Sequence, residues 1–386
     1  MIRYGSVCSG VEAASLAWEP LGWEPAFFAE VEPFPAAVLM QRFGATKPLR
    51  PLDPADAHDK DDLSMRRSWL NAINKLPDGG SIPNVGDFTK IRKEDYVGTI
   101  DLLVGGTPCQ DLSYFGKRKG FDGKRSVLAV DFVRVAFEQG VRWIVWENVP
   151  GALSSNDGQD FSAFLSLLTG YDIETPDGGS WGNAGICQNA TPERFGIAWR
   201  VLDPPYTRTH RFPHGIPHRR RRVLLVGYFG DWTRAAKVLF HGESLERGAE
   251  KNEAESCAED FFQPAQESRR NKGVTCYGFA GDVGGSFGGI SVYHEVSPTL
   301  LACHEQDIFI LDEKAGVATF RHQTPIETER LMGFPDNHTR ISWNGLPPEQ
   351  CPDKPRYKAC GNSMAVNVME WIGERIDKLE KEENGK

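Results

Sequence analysis

The sequence predicts an α/β fold: a mostly parallel, doubly wound sheet with a second, smaller and irregular β-rich domain. Three observations carry this. Short apolar runs alternate with amphipathic stretches through roughly the first 230 residues, the pattern of strands joined by helices. Acids and glycine-rich turns fall at the carboxyl ends of those runs, where open sheets of this class bind ligands. From about residue 233 the texture becomes polar and then glycine-rich.

Each element follows from its local pattern. Ile2 to Cys8 reads as a strand ending in a Ser-Gly turn, and Val11 to Leu21 as the helix behind it. Ala26 to Glu30 is a second strand closed by an acid, and Phe34 to Phe43 a second helix with prolines at its start. The polar stretch 46–86 looks like an insertion, with a helix from Asp61 to Leu76. The alternation resumes with the strand Ile100 to Val104, the helix Ser126 to Gln139, the strand Trp143 to Trp146 and the short helix Phe161 to Leu168. Val223 to Phe229 is a further apolar strand. Residues 242–272 are charged, 273–291 are rich in glycine, and Ile308 to Leu311 suggests β structure. Gly361 to Lys386 is again helical. The expected organisation is a first domain over 1–232, completed by 356–386, and a second over 233–355.

Composition narrows the class. The 386 residues include 53 acidic and 44 basic side chains, a formal charge of −9. The 22 Phe, 10 Trp and 9 Tyr supply enough burial to exclude a mainly disordered chain. No apolar run approaches the roughly 20 residues needed to span a bilayer, and MIRYGSVCSG lacks the regions of a signal peptide. A cytoplasmic protein is expected. None of the eight cysteines forms a C-x-x-C pair, so reduced thiols are the simple reading. The acidic balance weighs against a nucleic-acid binder, but Lys117, Arg118, Lys119, Lys124 and Arg125 cluster, as do Arg219 to Arg222. Solvated surface is the plain alternative for both.

Four constellations suit chemistry. The turn Cys8-Ser9-Gly10-Val11 lets a ligand approach the backbone, and it is not a G-x-G-x-x-G turn. Glu30 at a strand end can accept from ribose hydroxyls, and Asp87 can accept from an adenine amino group; a turn with surface acids is the alternative. In Gly105-Gly106-Thr107-Pro108-Cys109-Gln110 a buried strand, a glycine pair and a proline hold a thiol stiffly, as a nucleophile requires. A structural cysteine is the competing explanation. Glu147 follows an apolar strand, and partial desolvation would suit it to donate a proton. Arg220 and Arg222 share a strand face by alternation and can reach a phosphate or a carbonyl oxygen. His210, His214 and His218 have helical ligand spacing, but Pro213 and Pro217 forbid a regular helix, so no metal is expected.

The order of Cys8-Ser9-Gly10, Glu30, Pro108-Cys109-Gln110, Glu147-Asn148-Val149, Arg220-Arg221-Arg222, Ser297-Pro298-Thr299-Leu300, Arg330 to Pro335 and Gly361-Asn362-Ser363 resembles the DNA (cytosine-5) methyltransferases over most of the chain. The resemblance implies a sheet of the S-adenosylmethionine-dependent methyltransferase type and a target-recognition domain. It implies that the Cys109 thiolate adds to carbon 6 of a flipped cytosine. Glu147 would then act at ring nitrogen 3, Arg220 at the carbonyl oxygen, Asn148 would hold the carboxylate loop, and Arg222 would belong to the catalytic set. S-adenosyl-L-methionine is the implied co-substrate. Its pocket would use Cys8, Ser9, Gly10, Val11, Glu30, Val31, Asp87, Phe88, Pro108, Leu128, Asn362 and Ser363. The implied DNA contacts are Gln110, Ser113, Lys117, Arg118, Lys119, Arg125 and Thr299. The implied partner is double-stranded DNA, the implied state a monomer, and the implied setting a restriction–modification system or a phage or solitary enzyme near the nucleoid.

Three departures stand out: Glu12 where relatives carry more glycine, His218 where glutamine is common, and the insertion before Gly86-Asp87. An RNA cytosine-5 methyltransferase would share the same catalytic residues. An idle DNA- or donor-binding protein and a cysteine hydrolase are the other classes; intact Cys109, Glu147 and Arg220 argue against the first. No histidine is placed to serve the second.

Overall fold

The computed structural model describes residues 1–108, 128–240, 274–281, 290–294, 307–312 and 317–384; for 274–281, 290–294, 307–312, 317–320 and 383–384 it describes the backbone alone. The chain forms two compact units. One comprises Met1–Leu202, Arg221–His241 and Ile372–Lys386, the other Asp203–Arg220 and Gly242–Trp371.

The first unit is built on seven strands: β1 (Arg3–Val7), β2 (Glu24–Ala29), β3 (Leu102–Gly105), β4 (Trp143–Asn148), β5 (Ala184–Cys187), β6 (Phe195–Leu202) and β7 (Arg222–Phe229). Their order is β2-β1-β3-β4-β7-β6-β5. The half β2-β1-β3-β4 is parallel, as the alternation predicts. From β4 onward neighbours run antiparallel: β7 pairs with both β4 and β6, and β5 with β6 across a short connection. The composition of β1 is set by packing. A β-carbon at Gly5 would overlap the Phe27 ring on the neighbouring β2, so only glycine lets the two strands sit flush.

Helices α1 (Ala13–Trp18), α2 (Pro33–Phe43), α3 (Lys60–Asn74), α4 (Leu128–Gln139), α5 (Gln159–Thr169) and α6 (Trp232–Phe240) complete the first unit. The first of these is shorter than its apolar pattern predicts. Pro20 has no N–H to offer the carbonyl four residues back, so the helix ends at Trp18 and a 3₁₀ turn carries the chain to Leu21. In α4, Ala129, Phe132, Val133 and Ala136 recur at helical spacing and face one core with Trp146, Phe161, Phe164 and Phe195. The stretch expected to be an insertion has a structural end. Phe28 and Asn84 form a parallel bridge, and Phe28 N–H donates to Pro83 at 2.8 Å and its carbonyl accepts from Val85 at 2.7 Å. Residues 82–86 thus line the free edge of β2, and Val85 is fully buried.

The second unit contains a four-stranded antiparallel sheet, β11-β10-β8-β9, made of β8 (Val274–Gly281), β9 (Ile290–His294), β10 (Asp307–Asp312) and β11 (Val317–His322). It also contains α7 (Pro325–Leu331) and α8 (Asp353–Asn362). The expected C-terminal helix is interrupted: α8 ends at Asn362 and α9 (Val366–Asn384) begins after Ser363-Met364-Ala365.

From Ile372, α9 belongs to the first unit. There Glu380 accepts from the Trp143 indole at 2.9 Å, from Arg142 at 3.0 Å and from Arg234 at 2.6 Å. The Trp23 indole donates to Asp377 at 3.3 Å. No helix among the described residues is long and apolar enough to cross a membrane.

Candidate active site

At the carboxyl ends of β1 and β2 the chain makes a tight pair of turns. Ser9 Oγ donates to the Ser6 carbonyl at 2.9 Å and accepts from Ala29 N–H at 3.1 Å, while Ser9 N–H donates to Ala29 O at 3.2 Å. This brings Gly10 beside Glu30, whose Oε2 accepts Gly10 N–H at 2.7 Å and whose Oε1 accepts Glu32 N–H at 2.7 Å. Burial pushes the Glu30 carboxyl up from an ordinary 4.5 to about 7, against the pull of those N–H donors. The residues Cys8, Ser9, Gly10, Val11, Glu30 and Val31 are therefore gathered at one sheet end.

Asn84, which the sequence pattern does not single out, joins this end to Asp87 and Phe88. One oxygen, Oδ1, accepts both Glu30 N–H at 3.0 Å and Gly86 N–H at 3.1 Å. The Asp87 carboxylate then caps the short turn through Phe88, accepting from Thr89 N–H at 3.1 Å and from Thr89 Oγ at 2.7 Å. The only available signal was the Asn-Val-Gly-Asp turn chemistry, and that does not name a partner.

The second cluster lies where β4 ends. Glu147 is opposite Leu224 in the antiparallel register, so Arg222, two residues before Leu224, is its diagonal neighbour on the same face. The Arg222 guanidinium lies 3.2 Å from Glu147 Oε1, with side chains 15% and 14% exposed. An ion pair thus stands where the sequence leads one to expect a desolvated acid. Asn148 is buried and points the other way. Its Nδ2 donates to the Thr107 carbonyl at 2.9 Å, and its Oδ1 accepts Val149 N–H at 2.9 Å. The Trp146 indole donates to Thr107 Oγ at 3.0 Å. Two side chains of β4 therefore grip Thr107, directly before Pro108 and Cys109; Asn148 holds that approach rather than the acid itself. Thr107 and Trp146 were both absent from the expected set.

Arg220 sits differently from Arg222. Strand β7 begins at Arg222, so the alternation that would put both on one face does not reach Arg220. The buried Arg220 guanidinium donates to the carbonyls of Gly361 at 2.9 Å and Ser363 at 2.7 Å, and Arg220 N–H donates to Asp203 at 2.8 Å. These bonds lie within the second unit and fix the loop that carries Asn362 and Ser363. His218 is fully buried there, with Nδ1 at 2.9 Å from the Leu331 carbonyl. Among the described residues no group of three or more His, Cys, Asp or Glu side chains is placed to hold a metal ion. Pro108 is exposed and Leu128 half-buried at the start of α4. Cys109, Gln110, Ser113, Lys117, Arg118, Lys119, Arg125 and Thr299 lie outside the described residues.

The architecture, with its acids and turns at strand ends, is that of the methyltransferase α/β folds. A solved S. pombe Dnmt2 methyltransferase matches 98% of this chain and 99% of its own with a TM-score of 0.53 at 14% identity. A family model of C-5 cytosine-specific DNA methylases matches residues 73–176 and 208–378. The Type II methyltransferase M.Eco47II of Escherichia coli is 36% identical over 86% of this chain and 74% of its own. A protein of Escherichia phage P1 named as a DNA N-6-adenine-methyltransferase is 31% identical over 97% of this chain. The chain spans 61% of the length of that phage protein and 60% of the Bacillus subtilis M.BsuFI methyltransferase. The chain belongs to the C-5 cytosine-specific DNA methylase family.

Proposed function

We propose that the protein is a DNA (cytosine-5-)-methyltransferase that uses S-adenosyl-L-methionine to methylate a cytosine flipped out of duplex DNA, in a short specific sequence. The observation that carries the reading is the end of β4. Three consecutive chemistries meet there: Glu147 faces Arg222, Asn148 grips Thr107, and Thr107 leads through Pro108 into Cys109.

The residues of the turn pair suit the methyl donor. Among the described residues nothing lies within 4 Å of where a β-carbon on Gly10 would stand, so the backbone there is open to a ligand. Glu30 and Asp87 offer acceptors for hydroxyl and amino groups, and Phe88 and Val31 offer apolar flanks, with Pro108 and Leu128 proposed to complete this side of the pocket. When bound, the donor supplies an electrophilic methyl group on a sulfonium.

The chain's own groups do the rest. The Cys109 thiolate forms a bond to carbon 6 of the ring, and the carbon 5–carbon 6 electron pair becomes available at carbon 5. Glu147 holds a proton at ring nitrogen 3, which drains charge from the ring as sulfur adds. The carbonyl oxygen falls to Arg222, the arginine already paired with Glu147, while Arg220 positions the Gly361 to Ser363 loop. After methylation a base removes the carbon 5 proton and the sulfur–carbon bond breaks, restoring the double bond and the free thiolate. Extruding the base costs a few kcal/mol, offset by contacts to the flipped nucleotide. Gln110, Ser113, Lys117, Arg118, Lys119, Arg125 and Thr299 are proposed to supply DNA contacts, with salt-dependent affinity from the basic ones. Residues 233–355 are proposed to read the target, and 1–232 with 356–386 to bind the donor and catalyse. Restriction–modification, as in the Type II relatives, is the proposed setting, with a phage or solitary role as the alternative.

The test is nucleoside mass spectrometry of a random duplex pool incubated with the protein and the donor, with matched RNA alongside. 5-Methyldeoxycytidine is expected. N6-methyladenine, after the name of the phage P1 relative, or methylation confined to RNA would overturn the reading. DNA carrying 5-fluorocytosine should trap the protein covalently, and Cys109→Ser should abolish the adduct; an adduct of equal yield would remove Cys109 from its role.

A further inference from the structure

We propose that Glu12 is a positioning residue for the methyl-donor turn, its carboxylate tying the end of β1 to the start of α1 so that residues 8–11 keep one shape. This rests on the reading of Cys8 to Val11 as part of the donor site. An acid at this point in the turn is otherwise anomalous, since a free carboxylate beside a donor that itself carries a carboxylate would repel it.

The backbone states the problem that Glu12 solves. Cys8, Gly10 and Glu12 all take left-handed conformations, with φ of 51°, 58° and 65°. Glycine adopts that region freely; cysteine and glutamate do so only where their surroundings hold them there. Glu12 is held by its own side chain. It is 1% exposed and turned inward. Oε2 accepts Ser6 Oγ at 2.7 Å, and Oε1 accepts both Ser15 N–H at 3.0 Å and Ser15 Oγ at 3.1 Å. Since the Ser15 hydroxyl donates to Glu12, the Tyr4 hydroxyl 2.7 Å away donates to Ser15. One carboxylate thereby gathers two positions of β1 and the first turn of α1.

The remaining turn residues are then left with little freedom. Ser9 is tied to Ser6 and Ala29, and Gly10 N–H is held by Glu30. Where glycine would relieve the backbone, this chain uses an acid that locks it, and the carboxyl group is kept in the seam between strand and helix.

A purely conformational role and a tethering role predict opposite results for one substitution. Glu12→Gly suits the left-handed backbone and removes the tether. Glu12→Gln keeps the shape and an acceptor for Ser15. Ser6→Ala removes one donor and is mild enough to fold. The measurements are calorimetric binding of S-adenosylhomocysteine, the steady-state KM for S-adenosylmethionine and kcat, with thermal midpoints alongside, all on the full chain. Glu12→Gly should weaken S-adenosylhomocysteine binding and raise KM by about tenfold or more, the worth of hydrogen bonds to a buried charge. Its kcat at saturating donor should stay within about threefold, the split expected when binding rather than the chemical step is lost. Glu12→Gln should stay within about threefold of the parent in KM and binding, and Ser6→Ala should fall between the two variants. Binding by Glu12→Gly as tight as the parent, or by Glu12→Gln as weak as Glu12→Gly, would overturn the proposal. If Glu12→Gly does not fold, Ser6→Ala decides: parental affinity there overturns it. A parent protein that binds no S-adenosylhomocysteine at all refutes instead the donor reading on which this inference stands.

Discussion

Removing Asn148 should uncouple the fold from the approach to Cys109. Its amide makes two bonds, Nδ2 to Thr107 O at 2.9 Å and Val149 N–H to Oδ1 at 2.9 Å. Asn148→Ala deletes both. Thr107 is 3% exposed, so water has little access to replace the lost donor, whereas Val149 is half-buried and can be hydrated in part. Two net hydrogen bonds and one unsatisfied buried carbonyl amount to about 3 kcal/mol of lost stability. Thr107 would keep its bond from the Trp146 indole, so the loop loosens rather than detaches. A displacement of about 1 Å at Cys109 suffices to lower turnover by roughly 100-fold. Urea unfolding reads the first quantity. Single-turnover formation of 5-methyldeoxycytidine reads the second, with S-adenosylhomocysteine affinity as the control that should not move. Asn148→Asp keeps the acceptor for Val149 but sets a carboxylate oxygen against the Thr107 carbonyl, and should turn over no faster than Asn148→Ala. Turnover in Asn148→Ala within about threefold of the parent, below the roughly 100-fold expected of a misplaced nucleophile, would refute the argument that this side chain aims the thiol.

Other outcomes follow from the same geometry. Arg222→Ala should retain the fold and lose about 100-fold or more in turnover, as expected for a donor aimed at developing charge. Arg220→Ala should lose roughly 3 kcal/mol or more of stability, because two carbonyls are left without a buried cationic donor; if it instead folds normally and turns over more slowly than Arg222→Ala, the two roles are reversed. Burial raises both the Glu12 and Glu30 carboxyls from an ordinary 4.5 to about 7, Glu12 being faced by Ser6 and Ser15, by Glu30 across the turn and by Tyr4 through Ser15. Their folded-state pKa lies above the unfolded one, so the folded chain holds extra protons between about pH 4.5 and 7 and stability falls as pH rises through that window. Glu12→Gln should shallow that fall in a pH series of unfolding midpoints; an unchanged slope would exclude a buried acid at Glu12. Glu380→Ala removes the ion pair of the nearly buried Arg234 and should cost about 3 kcal/mol or more in chemical denaturation; a loss under about 1 kcal/mol, the range of a solvated surface pair, would refute a buried role for this pair.

What the sequence made legible was local. The strands β1, β3, β4 and β7 are apolar runs bounded by glycine or charge, and their boundaries follow within a residue or two. The turn at Cys8, the acid at Glu30 and the acid at Glu147 were visible because each sits where an apolar run stops. Strand direction was not visible. That β7 runs against β4 depends on which edge receives it, and nothing in Val223 to Phe229 encodes the choice. The edge pairing at 82–86 was hidden for a related reason: the five residues Ile82-Pro83-Asn84-Val85-Gly86, broken by a proline and closed by a glycine, are too few to carry a period of their own. Arg220 and Arg222 were grouped by alternation, which holds only inside a strand, and the strand starts at the second of them. The work of Glu12 depends on a positive φ and on serines six residues before it and three after, so its residue type alone suggested a misfit.

The reversal of direction at β7 has a consequence for how such a centre can be assembled. Parallel strands deliver only their final residues to one rim of a sheet. A strand entering head-first delivers its opening residue to that same rim, which is how a guanidinium at position 222 comes to lie against an acid at position 147. The cation is therefore set by the first residue of β7 and the acid by the end of the neighbouring β4, through the register that the two strands share. Slipping β7 by a single residue against β4 would turn Arg222 to the opposite face, so the pair holds only as long as the buried register of Val223 to Val226 is kept.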